Sequence, residues 1–182
     1  FSRVKTYYQC PLRYRYRYLK GLKEAFRSVE SFMGTVVHDV LEWLYAEREN
    51  GASPTLDAAL EALADRWSAG LTEEITVIRC SDNLDAYLVT AREILERFHR
   101  GAFDRDRSRT VALEQRLNQP LSDEIVFTGF ADRIGRTETG RLFVVDYKTS
   151  KKEGNPSEFS EGLQAPLYAA CALQHRDDTE AL

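Results

Sequence analysis

This sequence predicts a mixed α/β domain: a small mixed sheet flanked by helices, preceded by an N-terminal helical region. Three observations carry the prediction. Apolar stripes at helical spacing fill the first hundred residues, over 30–49, 56–69 and 83–100. Short β-rich runs follow at 110–117, 125–130 and 142–145. A helical pattern then returns at 161–175. Helices first, then a sheet, then a helix to cover it is an α/β or α+β arrangement. We expect one domain over residues 1–182, mainly helical in 1–104, with the sheet core in 105–182. The start at Phe1 rather than Met leads us to expect a fragment of a longer chain.

In chain order, residues 2–9 open a helix with Ser2 as its cap, and Pro11 restarts the chain. Leu12 to Leu19 continues as alternating Arg and Tyr. On a helix, Leu12, Tyr16 and Leu19 share one face, and Arg13, Arg17 and Lys20 another. Gly21 ends it. Residues 30–49 carry the stripe Phe32 or Met33, Val37, Val40, Leu41 and Leu44, with His38 and Glu42 one turn apart on one side. Gly34 stands one turn before His38 and suits the close approach of another element. Ser53 or Thr55 caps the Ala- and Leu-rich helix 56–69, and 71–81 reads as a short strand or a linker. Helix 83–100 presents Leu84, Tyr87, Leu88, Ala91, Leu95 and Phe98 to the core. His99 near its end is electrostatically comfortable and carries no chemistry.

Arg105 to Arg109 is a charged connector, and 110–117 alternates weakly as the first strand of the sheet. Glu114 on that strand faces either the cleft or solvent. Asn118 to Glu124 reads as a turn, and the second strand as 125–130, with Asp132 at or just past its end. Thr137 to Arg141 is a turn with Gly140 suited to positive φ. Leu142 to Val145 is a buried strand that runs into Asp146-Tyr147-Lys148. Period-two alternation puts Asp146 and Lys148 on one face and Tyr147 on the other. An antiparallel pairing of the last two strands would set Asp132 beside Asp146. Two close carboxylates repel, and a divalent cation relieves that repulsion. Lys148 is placed to orient a water or to stabilise phosphoryl charge. Lys151 to Gly162 reads as a loop over this site. In 161–175, Gln164 and Tyr168 are one turn apart on a helix that packs on the sheet.

Composition narrows the function classes. The chain has 43% hydrophobic and 30% charged residues and a formal charge of −4, a globular composition. No run is apolar enough to span a bilayer, and no signal peptide is visible. Cys10, Cys80 and Cys171 are odd in number and widely spaced, which fits a reducing compartment, and we expect a cytoplasmic protein with no membrane partner. Residues 1–27 hold eight Lys or Arg against one acid, Glu24, so a basic end sits on an acidic body. Arg13, Arg15, Arg17 and Lys20 interleaved with Tyr16 suit phosphate contact and base stacking; the plain alternative is core tyrosines and solvated arginines. There is no Walker loop, dinucleotide fingerprint or HExxH, and no Ser–His–Asp set is visible.

The ordered set of GTVVH with His38, GFADRI with Asp132, VVDYKTSK with Asp146 and Lys148, and LQAPLYA with Gln164 and Tyr168 resembles the PD-(D/E)xK nuclease superfamily. Within it, the set looks like the RecB-type exonuclease branch of bacterial helicase–nucleases and CRISPR-associated exonucleases. The opening YYQCPLRYRYRYL is similar to that branch's N-terminal tyrosine/cysteine–proline motif. The resemblance touches nearly the whole chain and implies a restriction-endonuclease-like core. It implies Mg²⁺ or Mn²⁺ held by His38, Asp132, Asp146 and the backbone carbonyl of Tyr147. Lys148 would position or activate the attacking water, Gln164 and Tyr168 would support the site and the DNA, and Glu114 matches an acid on the preceding strand.

The implied reaction is phosphodiester hydrolysis in DNA repair or recombination. It would act on single-stranded DNA ends, leave a 5′-phosphate, and work beside a helicase domain or subunit. An iron–sulfur cluster is implied only if further cysteines lie beyond residue 182, because Cys10 alone matches the pattern of the relatives that carry one. A structure-specific endonuclease and a non-catalytic DNA-binding module of a repair complex are the alternatives.

Overall fold

The computed structural model describes residues 2–77, 83–149 and 168. The chain divides into two compact units, one of Phe26–Gln115 with Ala131–Glu153, the other of Phe1–Ala25, Arg116–Phe130 and Gly154–Leu182. The elements fulfil the mixed α/β expectation and are taken unit by unit.

In the first unit, Arg27–Ser28 (β1) pairs in parallel with Ile75–Thr76 (β2), so of the ambiguous TVI stretch Thr76 is strand, Val77 is not, and Ile78 lies outside the described residues. Between them run Val29–Glu49 (α1) and Leu56–Gly70 (α2), and after them Leu84–Gly101 (α3). Each starts where an oxygen side chain accepts an orphan amide: Ser28 from Ser31, Thr55 from Ala58 and Asn83 from Ala86. Helix α1 buries Phe32, Met33, Val36, Val37, Val40, Leu41 and Leu44, a stripe wide enough to meet two neighbours. Ala59, Leu63 and Trp67 of α2 and Tyr87, Ala91 and Leu95 of α3 complete that core, with the Phe32 and Trp67 rings 4.8 Å apart. Complete burial of a side chain such as Leu44 or Leu63 contributes about 1.5–3 kcal/mol. His99 is also buried; its Nε2 donates to the Pro54 carbonyl at 3.1 Å, a structural role.

Three strands, Arg109–Pro120 (β3), Val126–Arg136 (β4) and Leu142–Val145 (β5), form a sheet in that order. Strands β4 and β5 are antiparallel with Arg133 opposite Val145 and Arg136 opposite Leu142. Gly140, at φ +82, closes the turn between them. Two boundaries differ from the sequence reading. Strand β3 runs on to Pro120, so the turn shrinks to residues 121–125, closed by the Leu121 amide on the Ile125 carbonyl at 2.8 Å. Strand β4 continues to Arg136, so Asp132 lies inside the strand, not past its end. Charges are costly inside a sheet; here Asp132 and Arg133 are both satisfied by partners distant in sequence.

Arg133 is that satisfaction in its fullest form. It is 1% exposed, yet its guanidinium donates to Asp106 Oδ2 (2.6 Å), Thr110 Oγ1 (3.0 Å) and Ser108 Oγ (2.8 Å) and lies 3.7 Å from the Tyr45 ring centre. Partial burial would raise the Asp106 carboxyl, but hydrogen bonds from Ser108 and Arg133 outweigh it and hold the group down at about 2. Burial pushes the Tyr45 phenol up to about 12, so it stays a neutral donor to Asp106 at 3.0 Å. The charged connector of the sequence reading is therefore an anchor for β3 and β4.

In the second unit, Ser2–Gln9 and Pro11–Tyr14 are α-helical, and Arg15–Leu19 is a π-helical turn in place of a continued α-helix. Cys10 Sγ accepts the Arg13 amide at 3.4 Å and caps the short helix. Tyr168, in helical conformation and 8% exposed, packs its ring 6.1 Å from that of Phe127. No described helix is long and apolar enough to cross a membrane. The loop expected at 151–162, the helix at 161–175 apart from Tyr168, and Gln164, Cys80 and Cys171 lie outside the described residues.

Candidate metal centre

Three elements of the first unit converge on one point. Helix α1 projects His38, β4 projects Asp132, and β3 projects Glu114, and their ligand atoms all lie within 4.8 Å of one another. His38 Nδ1 is 3.7 Å from Asp132 Oδ1. The other oxygen of Asp132 accepts the backbone amide of Tyr147 at 2.5 Å. The β4–β5 register ends with Arg133 opposite Val145, and the next residues on the two sides are Asp132 and Asp146, the second of which raises the first through its charge. Asp146 stands beside the trio rather than in it, ion-paired with Lys148, which keeps its side chain 65% exposed. The Tyr147 ring points the other way, onto His38 (5.9 Å, edge-on) and Phe98 (5.4 Å). The alternation read from the sequence thus holds one residue at a time past the end of β5.

Glu114 reaches the cluster from within β3, at a residue of unusual backbone conformation. Its φ is +43, the one positive value outside glycine among the described residues. Around it, Thr110, Ala112, Leu113, Gln115 and Leu117 are buried or half-buried while Val111, Glu114 and Arg116 are exposed, so the inward alternation breaks at Ala112–Leu113. The weak alternation in 110–117 was the sequence trace of that break.

The electrostatics record how crowded the acids are. Asp132 is raised above the ordinary carboxylate range, first by burial and then by the charge of Asp146, against the opposing pull of the Tyr147 amide, His38 and Lys148. Glu114 is raised by partial burial of its carboxyl, then by Asp132, Glu42 and Asp39, with His38 opposing. Asp39 and Glu42 thus add to the negative field from the helix that carries His38. An imidazole nitrogen and hard carboxylate oxygens this close are a donor set suited to Mg²⁺ or Mn²⁺, and a cation there would relieve the repulsion.

In the second unit the basic residues Arg13, Arg15, Arg17 and Lys20 are all exposed. Tyr16 is 44% exposed, which removes the core-tyrosine alternative for that ring. Lys20 Nζ sits 5.5 Å over it, and Arg17 contacts Glu24 at 3.4 Å. Tyr14 meets Tyr7 edge-to-face at 5.4 Å and Tyr18 at a tilt at 5.3 Å, with Arg3 5.0 Å over Tyr18.

Comparison with known proteins agrees with this chemistry. The family model of the PD-(D/E)XK nuclease superfamily matches residues 1–181. Three proteins of Streptococcus agalactiae, from serotypes Ia, V and III, each named as an ATP-dependent helicase/deoxyribonuclease subunit, are 29% identical over 185 residues. Each match covers 97% of this chain and 16% of the relative, so the chain spans about a sixth of those proteins.

Proposed function

This chain belongs to the PD-(D/E)XK nuclease superfamily, and from that premise we propose that it is an Mg²⁺- or Mn²⁺-dependent deoxyribonuclease that shortens single-stranded DNA from its ends. The observation that carries the reading is the convergence of His38, Glu114 and Asp132 within 4.8 Å beside the Asp146–Lys148 pair. Burial raises both Asp132 and Glu114 above the ordinary carboxylate range, and each also feels a neighbouring carboxylate, a cost that a bound cation would offset.

His38, Asp132 and Asp146 would hold the ion together with the Tyr147 carbonyl, and Glu114 is positioned to join them. Bound there, the ion supplies Lewis acidity toward the phosphoryl oxygens and the departing 3′-oxygen. The chain supplies the rest. The Tyr147 amide fixes one Asp132 oxygen and leaves the other facing His38. Asp146 holds the Lys148 ammonium at the edge of the site, where it can orient the attacking water and offset charge on phosphorus. The water gives up a proton as its oxygen forms a bond to phosphorus, the bond to the 3′-oxygen breaks, that oxygen takes up a proton, and the products carry a 5′-phosphate and a 3′-hydroxyl. Gln164 and Tyr168 are assigned supporting roles. Arg13, Arg15, Arg17, Lys20 and Tyr16 would grip the strand through phosphate and base contacts. The names of the relatives support work alongside a helicase in DNA repair or recombination.

The test is cleavage of end-labelled linear single-stranded DNA beside a closed circular single strand, with Mn²⁺, Mg²⁺ or EDTA. Shortening of the linear strand in metal alone, with the circle intact, is expected. A cut circle would assign an endonuclease, and no cleavage of either strand would overturn the reading.

A further inference from the structure

Helix α1 meets the chain after β5 at two places, one turn apart. His38 lies against the Tyr147 ring at 5.9 Å. One turn earlier, a β-carbon built on Gly34 would stand 3.1 Å from Thr149 Oγ1, tighter than ordinary van der Waals contact. Two residues of extended chain cover about 6.6 Å, and four residues of helix rise about 6.0 Å. Tyr147 and Thr149 therefore run alongside His38 and Gly34 in matched steps. Lys148, between them, faces away and is exposed. The chain can lie this close because position 34 has no side chain.

We propose that Gly34 is a positioning residue, and that its contact with Thr149 sets the height of the Tyr147 carbonyl and the Lys148 ammonium over the metal centre. The inference rests on the nuclease reading above. With the Thr149 hydroxyl held in place, a methyl group at position 34 must lift the Thr149 end of the segment or push α1 back by a few tenths of an ångström. Either movement separates His38 from the Tyr147–Lys148 backbone, the two sides of the proposed metal site. Thr149 is half-buried and is joined directly to Lys148, so it has little room to yield without moving that lysine.

The experiment is a size swap in the full-length protein. Mn²⁺ affinity is measured by calorimetry, and kcat and KM are measured separately on single-stranded DNA, for wild type, Gly34→Ala, Thr149→Ala and the double variant. Gly34→Ala should weaken Mn²⁺ binding and lower kcat, each by about tenfold, with KM little changed. The double variant should return to the level of Thr149→Ala, because removing Oγ1 makes room for the methyl. Urea midpoints for all four proteins separate this from loss of folding. Wild-type values in Gly34→Ala would overturn the proposal, as would a loss that Thr149→Ala does not rescue. A wild type that neither binds Mn²⁺ nor cleaves DNA would overturn the nuclease reading and this inference with it.

Discussion

Glu114 should make the protein less stable in order to serve the metal, and substitution can separate the two effects. Its φ of +43 is a conformation that side chains with a β-carbon rarely adopt. The strain is about 1–2 kcal/mol. Glycine removes it but loses about 0.5–1 kcal/mol through the greater freedom of the unfolded chain. Without metal, Glu114→Gly should therefore be more stable than wild type by about 0.5–1 kcal/mol. Glu114→Gln keeps the strain and removes only the charge that faces Asp132, Glu42 and Asp39. Because that residue is exposed, its gain should be a few tenths of a kcal/mol at most, about the size of a surface charge effect. Excess Mn²⁺ should invert the order. A ligand at ten times its Kd stabilises the folded state by about 1.4 kcal/mol, and both variants forfeit part of this. Urea midpoints in EDTA and in Mn²⁺ give all six values. A Glu114→Gly protein less stable than wild type in EDTA would refute the strain argument. Equal stabilisation of all three by Mn²⁺ would refute the ligand role.

The buried cation gives a second expectation: Arg133→Met leaves Asp106 without its charged partner and should lower stability by about 3 kcal/mol, which urea denaturation would detect. Asp106 also sets a pH dependence. Its folded value of about 2 is below its ordinary 3.8, so its stabilisation is present above pH 3.8 and disappears as pH falls toward 2; Asp106→Asn should flatten that part of an acid-unfolding curve. Replacing Arg13 and Arg17 with alanine should weaken binding of single-stranded DNA and reduce the slope of log affinity against log salt by about 1.4. An unchanged slope in a salt titration would return those arginines to a solvated surface.

The three long helices were legible to within a residue or so because each has an apolar stripe of about one hundred degrees and an oxygen-bearing cap. Strand β5 was legible because four apolar residues end abruptly at Asp146. What was hidden depends on partners far apart in sequence. Arg133 is tolerated inside β4 because Asp106, Ser108 and Thr110 wait for it at separations of 23–27 residues. No local window contains them. The positive φ of Glu114 was not legible, since nothing in a glutamate announces it. The π-helical turn over Arg15–Leu19 has no trace in an arginine–tyrosine repeat that fits an α-helix equally well. The sequence shows the order of the acids and the lysine along the chain, whereas the closeness of His38, Glu114 and Asp132 depends on the approach of α1, β3 and β4, which no local window contains.

The central claim is that Lys148 acts on the reaction while His38, Glu114, Asp132 and Asp146 serve the metal. The most direct measurement is the single-turnover rate of cleavage of end-labelled single-stranded DNA by Lys148→Ala in saturating Mn²⁺, with Mn²⁺ affinity measured on the same protein. The account predicts a rate lower by about a thousandfold with Mn²⁺ binding retained. A wild-type rate in Lys148→Ala would contradict it.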